Sequence, residues 1–334
     1  MSRALPLFMF AISVGLMGAA SAQTSTNVPP AQTSTPEQLV DALNGVFGKH
    51  PGARAVHAKG IVLEGSFMPS RTASTISKAP HLQHTAVPVT VRFSDFAGIP
   101  DIPDNQGLAS PRGLAIKFKL PDGSESDIVA HSFNGFPSPT TDDFRNLLIA
   151  LASSGANVAK PTPLDKYLEA HPVAKAFLSA PKPAPVSYGT LPYYGVNTFK
   201  FINSAGNVTY GRYQFQPMAG AHYLTDDEAG KKAGDYLSEE IRAQVKQSPV
   251  RFKLVVQVAA PGDKLNDPST AWPDSRQIVE LGAISITKVV QDSDAAQRQL
   301  LFLPNALPSG IEAEDPMINA RSAAYPVSYA RRQQ

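Results

Sequence analysis

The sequence predicts an α+β fold in which about eight mainly antiparallel strands close on themselves, with helices inserted between them and flanking them. Three observations predict it. Apolar residues alternate with period two through much of the chain after His57. Turn signals rich in Gly, Pro, Asn and Asp separate these runs. Capped segments at helical spacing interrupt them. With 30 prolines in 334 residues and only 17% charged residues, the composition suits a loop-rich globular chain and excludes a coiled coil.

In chain order, Met1-Ser2-Arg3, the apolar run Leu5 to Ala19 and the small residues Ser21-Ala22 have the pattern of a secretory signal peptide over 1–22. The apolar part is shorter than the ~20 residues a membrane span needs, so no retained span is expected. Export is expected, with a periplasm as the destination. Residues 23–35 read as a disordered polar linker, too poor in apolar groups to bury much surface. The folded domain is expected over 36–334. It begins where Thr35, Pro36 and Gln38 supply a cap, a first-turn proline and a capping-box partner, followed by Leu39, Val40, Leu43, Val46 and Phe47 at helical spacing. That predicts a helix over 36–47, closed by Gly48.

Strand faces follow at Val89/Val91/Phe93, Leu114/Ile116/Phe118, Phe199/Phe201, Tyr213/Phe215 and Phe252/Leu254/Val256/Val258. Asn203 to Asn207 joins 198–203 and 207–216 as a hairpin. Helices are predicted at 142–153, capped by Thr140 or Thr141, and at 163–170, 173–180 and 226–246. Closing the strands into a barrel removes free edges and leaves room for a bulky apolar ligand.

Charge and residue types narrow the function. A formal charge of +2 without a basic block lacks the footprint of phosphate-backbone binding, so no nucleic-acid partner is expected. With no cysteine, a metal has to be held by His, Tyr, Asp, Glu or Met. Nucleophile-elbow, P-loop, dinucleotide and HExxH patterns are all missing.

Eight segments in a fixed order point further. They are Arg54-Ala55-Val56-His57-Ala58-Lys59-Gly60; Val91-Arg92-Phe93-Ser94 with Ala97-Gly98; Pro111-Arg112-Gly113 through Phe118; Asp127-Ile128-Val129; Tyr194-Gly195-Val196-Asn197-Thr198-Phe199-Lys200; Asn266-Asp267-Pro268 with Trp272-Pro273; Gly310-Ile311-Glu312; and Arg321-Ser322-Ala323-Ala324-Tyr325. Together they resemble the haem-catalase family over residues ~36 to 334, and with nine residues after Tyr325 the chain is most similar to the small catalase-related peroxidases. The resemblance implies a catalase-like eight-stranded barrel and haem, expected to be haem b. It implies reduction of hydrogen peroxide or organic peroxides by a small-molecule reductant.

By motif position, the resemblance makes Tyr325 the axial iron ligand. A phenol with an ordinary pKa of ~10 has to ionise to bind ferric iron well, and Arg321 four residues earlier shares its helix face. His57 matches the distal base, which moves a proton between the two peroxide oxygens. Ser94 matches the residue that orients that imidazole, and Val56 an apolar wall of the pocket. Phe144 matches a ring stacked on the porphyrin, with a core role on helix 142–153 as the alternative. Arg54, Arg92 and Arg332 match propionate partners, the last open by one residue because Arg331 adjoins it.

One segment departs from the family. Where an asparagine that orients peroxide is usual, this chain has His131, and Asn134 comes three residues later. Losing that amide implies peroxidase activity above catalase activity. A haem or apolar-ligand carrier on the same barrel is the alternative from another class. Allene oxide synthases share the barrel, but they typically carry Thr where this chain has Val56.

Overall fold

The computed structural model describes residues 33–334. The signal peptide expected over 1–22 and residues 23–32 of the expected linker lie outside the described residues. Thr33 and Ser34, the next two, meet Asp142. Asp142 accepts hydrogen bonds from both backbone N–H groups at 3.0 and 2.6 Å and from both hydroxyls. Partial burial alone would raise the Asp142 carboxyl, but these donors draw it down to about 2.

The first helix, α1 (Pro36–Phe47), has the predicted bounds and the capping box between Thr35 and Gln38. Ten strands follow: β1 (Gly60–Pro69), β2 (Val87–Ser94), β3 (Gly113–Lys119), β4 (Glu125–His131), β5 (Tyr193–Tyr194), β6 (Phe199–Ile202), β7 (Val208–Pro217), β8 (Val250–Val258), β9 (Ile278–Val289) and β10 (Ile311–Ala313). All named pairings are antiparallel. Strand β7 pairs with both β5 and β8, so β1-β2-β3-β4-β5-β7-β8-β9 closes into an eight-stranded barrel. Strands β6 and β10 extend outside the ring from β7.

The remaining helices are α2 (Ala73–Ile76), α3 (Thr141–Ala152), α4 (Pro163–Ala170), α5 (Pro172–Ser179), α6 (Asp226–Gly230), α7 (Tyr236–Gln247), α8 (Ser293–Gln299) and α9 (Met317–Arg332). The single helix expected over 226–246 is thus two. Gly230 and Gly234 fall inside that run, and each costs a helix interior about 1 kcal/mol relative to Ala, enough to end α6 and restart the chain at α7.

Alternate residues of each strand fill the barrel. Val87, Val89, Val91 and Phe93 of β2 join Ile116, Ile128, Phe252, Leu254 and Ile284 in one buried cluster. Phe93 stacks on Tyr188 with ring centroids 5.2 Å apart, and burying such a side chain is worth roughly 1.5–3 kcal/mol. The other face of β2 carries Arg92 and Ser94, and the candidate site is built on that outer face.

Candidate active site

Strand register assembles the floor of the site. Ser94 pairs with Gly113, Gly113 with His131, and His131 with Tyr194. Directly opposed residues project to the same face of a sheet, so these four positions form one row. Two residues away the next row holds Arg92, Ala115 and Val129. Elements α1, α3 and α9 enclose this face around a cavity that is continuous with solvent. Arg54, Val56, His57, Arg92, Ser94, Phe144, Arg321, Tyr325 and Arg332 all line that one cavity.

His57 is the only non-glycine among the described residues with a left-handed backbone, at φ 56°. Such a conformation costs on the order of 1–3 kcal/mol and has to be imposed by its surroundings. The His57 N–H donates to the Phe96 carbonyl at 2.7 Å, and Arg92 Nη2 donates to the His57 carbonyl at 2.9 Å. Ser94 Oγ lies 3.1 Å from His57 Nδ1, and the Phe96 ring meets the imidazole edge-on at 5.6 Å. A side chain at Gly113 would place its Cβ 2.8 Å from His57 Nδ1 and 2.5 Å from Ser94 Oγ, so only glycine lets the ring lie against β3. Burial, then the charge of Arg92 and the nearby His131, lower the imidazole pKa to about 3, which keeps it neutral.

On α9, Met317, Arg321, Tyr325, Ser328 and Arg332 recur at helical spacing and face the cavity. Arg321 Nε and Nη2 donate to Tyr325 Oη at 3.1 and 2.7 Å. Its Nη1 donates to Asn197 Oδ1, and Asn197 donates in turn to Asp315 at 2.7 Å. The guanidinium is therefore anchored from the barrel side while it holds the phenolic oxygen. The Ala55 N–H donates to Ser328 Oγ at 3.3 Å, which ties the segment bearing Arg54 and His57 to the same helix.

Arg54, Arg92 and Arg332 cluster at one end. Arg54 and Arg332 share the Leu300 carbonyl at 2.7 and 2.8 Å, and Arg92 bonds Gln297 Oε1 at 3.0 Å. Burial, then the charges of Arg92 and Arg332, hold Arg54 well below the ordinary arginine value. Burial likewise brings Arg92 and Arg332 to about 10, still cationic at neutral pH. Arg331 turns away to Asp41 at 2.7 Å, so Arg332 is the one at the cavity. No Asp or Glu is among the described residues lining this space. An apolar slot with a phenol on one wall, an imidazole on the other and three guanidiniums without a carboxylate partner fits haem, a flat apolar ring with two carboxylates.

Val56 packs on the cluster of Phe47, Ala97, Ile102 and Ala109. Phe144, half-buried on α3, reaches the cavity with its ring 5.0 Å from that of Phe136. His131 lines the cavity, whereas Asn134 lines a second cleft with Lys182, Tyr194 and Tyr223. Both ring nitrogens of His131 are buried without a hydrogen-bond partner among the described residues. Sequence reasoning missed the supporting roles of Gly60, Phe96, Gly113, Asn197 and Gln297. A Cβ at Gly60 would come within 2.5 Å of Arg92 Nη2. Gly60, Gly113 and Asn197 stand inside the motifs that carried the resemblance, so the signal was present without its geometric meaning.

Comparison with known proteins agrees with this geometry. A family model described as catalase matches residues 37–333. The chain is 37% identical over 298 residues to a catalase-related peroxidase of Mycolicibacterium paratuberculosis, covering 88% of this chain and 93% of that protein. It is 32% identical over 304 residues to one from Synechococcus elongatus, covering 89% and 88%. Catalase A from Saccharomyces cerevisiae superposes with a TM-score of 0.75 at 20% identity, over 88% of this chain and 64% of that one, and so bears on the fold alone. Barrel, cavity and matched residues lead to one conclusion: the chain belongs to the catalase family.

Proposed function

We propose that this chain is an exported haem peroxidase that reduces hydrogen peroxide or organic hydroperoxides with electrons from a small organic donor and evolves little oxygen. The observation that carries it is the pairing, across one cavity, of Tyr325 Oη held by two Arg321 donors with a neutral His57 fixed at Nδ1 by Ser94. Tyr325 would hold the iron of haem b, which would supply the redox chemistry of peroxide O–O cleavage. Arg54, Arg92 and Arg332 would bind its propionates, and Val56 and Phe144 its apolar faces.

The protein's own part is proton handling and orientation. His57 Nδ1 is engaged by Ser94, which leaves Nε2 as the nitrogen for the reaction. It takes the proton of an entering hydroperoxide and returns it to the leaving oxygen, a cycle that needs the neutral imidazole at its start. Ser94 and the flat contact with Gly113 keep Nε2 turned into the cavity. The reading of weak catalase activity is supported by His131 lining the cavity while Asn134 lines a different cleft. Export, with a periplasm as the destination, rests on the leader-like pattern of residues 1–22.

Haem-loaded protein should show a ferric tyrosinate-type spectrum that changes in Tyr325→Phe. It should oxidise a chromogenic donor, and His57→Ala at equal haem content should not. A protein that takes up no haem sinks the proposal, and oxygen evolution faster than donor oxidation sinks its peroxidase part. If the wild type binds haem but oxidises no donor, the carrier reading replaces it. A mature protein whose N-terminus is Met1 refutes the cleaved leader.

A further inference from the structure

His131 is a buried polar group that the proposed reaction does not use. It ends β4, lines the same cavity as His57, and stands directly opposite Gly113, the glycine against which the His57 ring rests. Gly113, which has no side chain, thus has the His57 ring resting against it and His131 as its partner across the sheet. His57 is held at Nδ1 by Ser94. Nδ1 and Nε2 of His131 have no hydrogen-bond partner among the described residues, and each is shielded from solvent. Leaving such a group unpaired costs ~1–3 kcal/mol, so a ligand in the cavity that hydrogen-bonds it is favoured. Burial, then the charges of Arg321 and Lys182, hold the imidazole neutral, and a neutral imidazole offers one N–H donor and one lone pair.

The chemistry needs a group of this kind. Reducing one peroxide to two hydroxyl products consumes two electrons and two protons beyond the proton that His57 moves internally. A phenolic reductant carries both, but its O–H proton has to leave as the electron leaves. We propose that His131 is the proton acceptor for a phenolic reductant bound in the cavity. One of its ring nitrogens accepts the phenol O–H hydrogen bond and takes the proton while the electron passes to the haem. Two phenols give two phenoxyl radicals, two protons and two electrons. Those protons and electrons, with the peroxide, leave as water, or as water and an alcohol when the peroxide is organic. The inference rests on the peroxidase reading of the same site.

The test uses haem-loaded His131→Gln, which keeps a hydrogen-bonding side chain of similar reach but cannot carry a proton. Two donors are compared, a phenol and ferrocyanide, the second of which yields an electron without a proton. The expected result is a loss of at least ~10²-fold in phenol oxidation. Ferrocyanide oxidation should fall far less than phenol oxidation does, and the solvent deuterium isotope effect on phenol oxidation should shrink. A further readout is the optical titration of the resting protein with phenol in the absence of peroxide, whose Kd should change by less than about threefold. Equal losses with both donors, or a loss confined to the peroxide step, would overturn the inference, since His131 would then only shape the pocket. Unchanged phenol oxidation overturns it as well. A wild-type protein that oxidises neither donor refutes the peroxidase reading, which separates the two failures.

Discussion

At the scale of single residues, His57 shows how environment sets chemistry. Its ordinary pKa near 6.5 would leave much of it protonated in mildly acidic solution, but burial and the cationic surroundings bring it to about 3. Because the folded value is depressed, the base form is present above that value and is lost only as pH falls through it. The second-order rate with hydrogen peroxide should therefore stay flat from about pH 8 down to about pH 4 and drop below that. A stopped-flow profile with an inflection near 6.5 would refute the burial argument. Gly113 supplies a second test. Its substitution by alanine displaces the ring by the better part of an ångström, and misplacements of about 1 Å can cost ~10²-fold. Gly113→Ala should lose about that much in the peroxide reaction while still binding haem. His57, Ser94, Arg92 and Tyr325 were legible from the sequence because each stands in a motif that needs its chemistry. Gly113 and Gly60 were not, because what matters there is the side chain of another residue pressed against an empty position.

At the scale of elements, α1 was the most legible and β1 and β9 the least. Helix α1 announced itself through Thr35, Pro36 and Gln38, local signals that act within one turn. Strand β1 has Ile61, Val62 and Leu63 buried in succession, so the alternation that marks a one-sided strand is missing. The long 226–246 run misled in the opposite sense, since periodicity continued across a break between Gly230, where α6 ends, and Tyr236, where α7 begins. Two predictions belong here. Thr35→Ala removes the capping bond of the helix whose Leu39, Val40 and Leu43 wall the cavity, and should cost about 1 kcal/mol in urea unfolding. On α9, neighbouring arginines should separate. Arg332→Ala should weaken haem affinity at least tenfold, because a buried charged partner is lost. Arg331→Ala should change it by less than twofold, because its exposed pair with Asp41 is worth little. Equal effects in a haem titration would contradict the assignment of the inward side chain.

At the scale of the whole molecule, the barrel is a scaffold whose filled interior gives stability and whose outer face carries charge. The sequence made the first part readable through alternation and the second through ordered motifs spread from Arg54 to Tyr325. The closure between β7 and β8 depends on long-range pairing that no local pattern encodes. That division has a thermodynamic consequence. Four arginines line the cavity without a carboxylate, and three of them stand close enough to depress one another. The haem-free fold is therefore held against its own repulsion, and an anionic ligand relieves it. Ligand at 1,000 times its Kd stabilises by about 4 kcal/mol, which for a domain of this size raises Tm by about 6–8 °C. Haem whose two carboxylates are esterified presents the same ring without the charges. It should raise Tm by less than half as much at equal concentration, and adding salt should narrow the gap between the two, because part of the attraction is screened. Equal shifts for haem and its diester in differential scanning calorimetry would mean that the ring alone fills the slot and that Arg54, Arg92 and Arg332 contribute no binding charge.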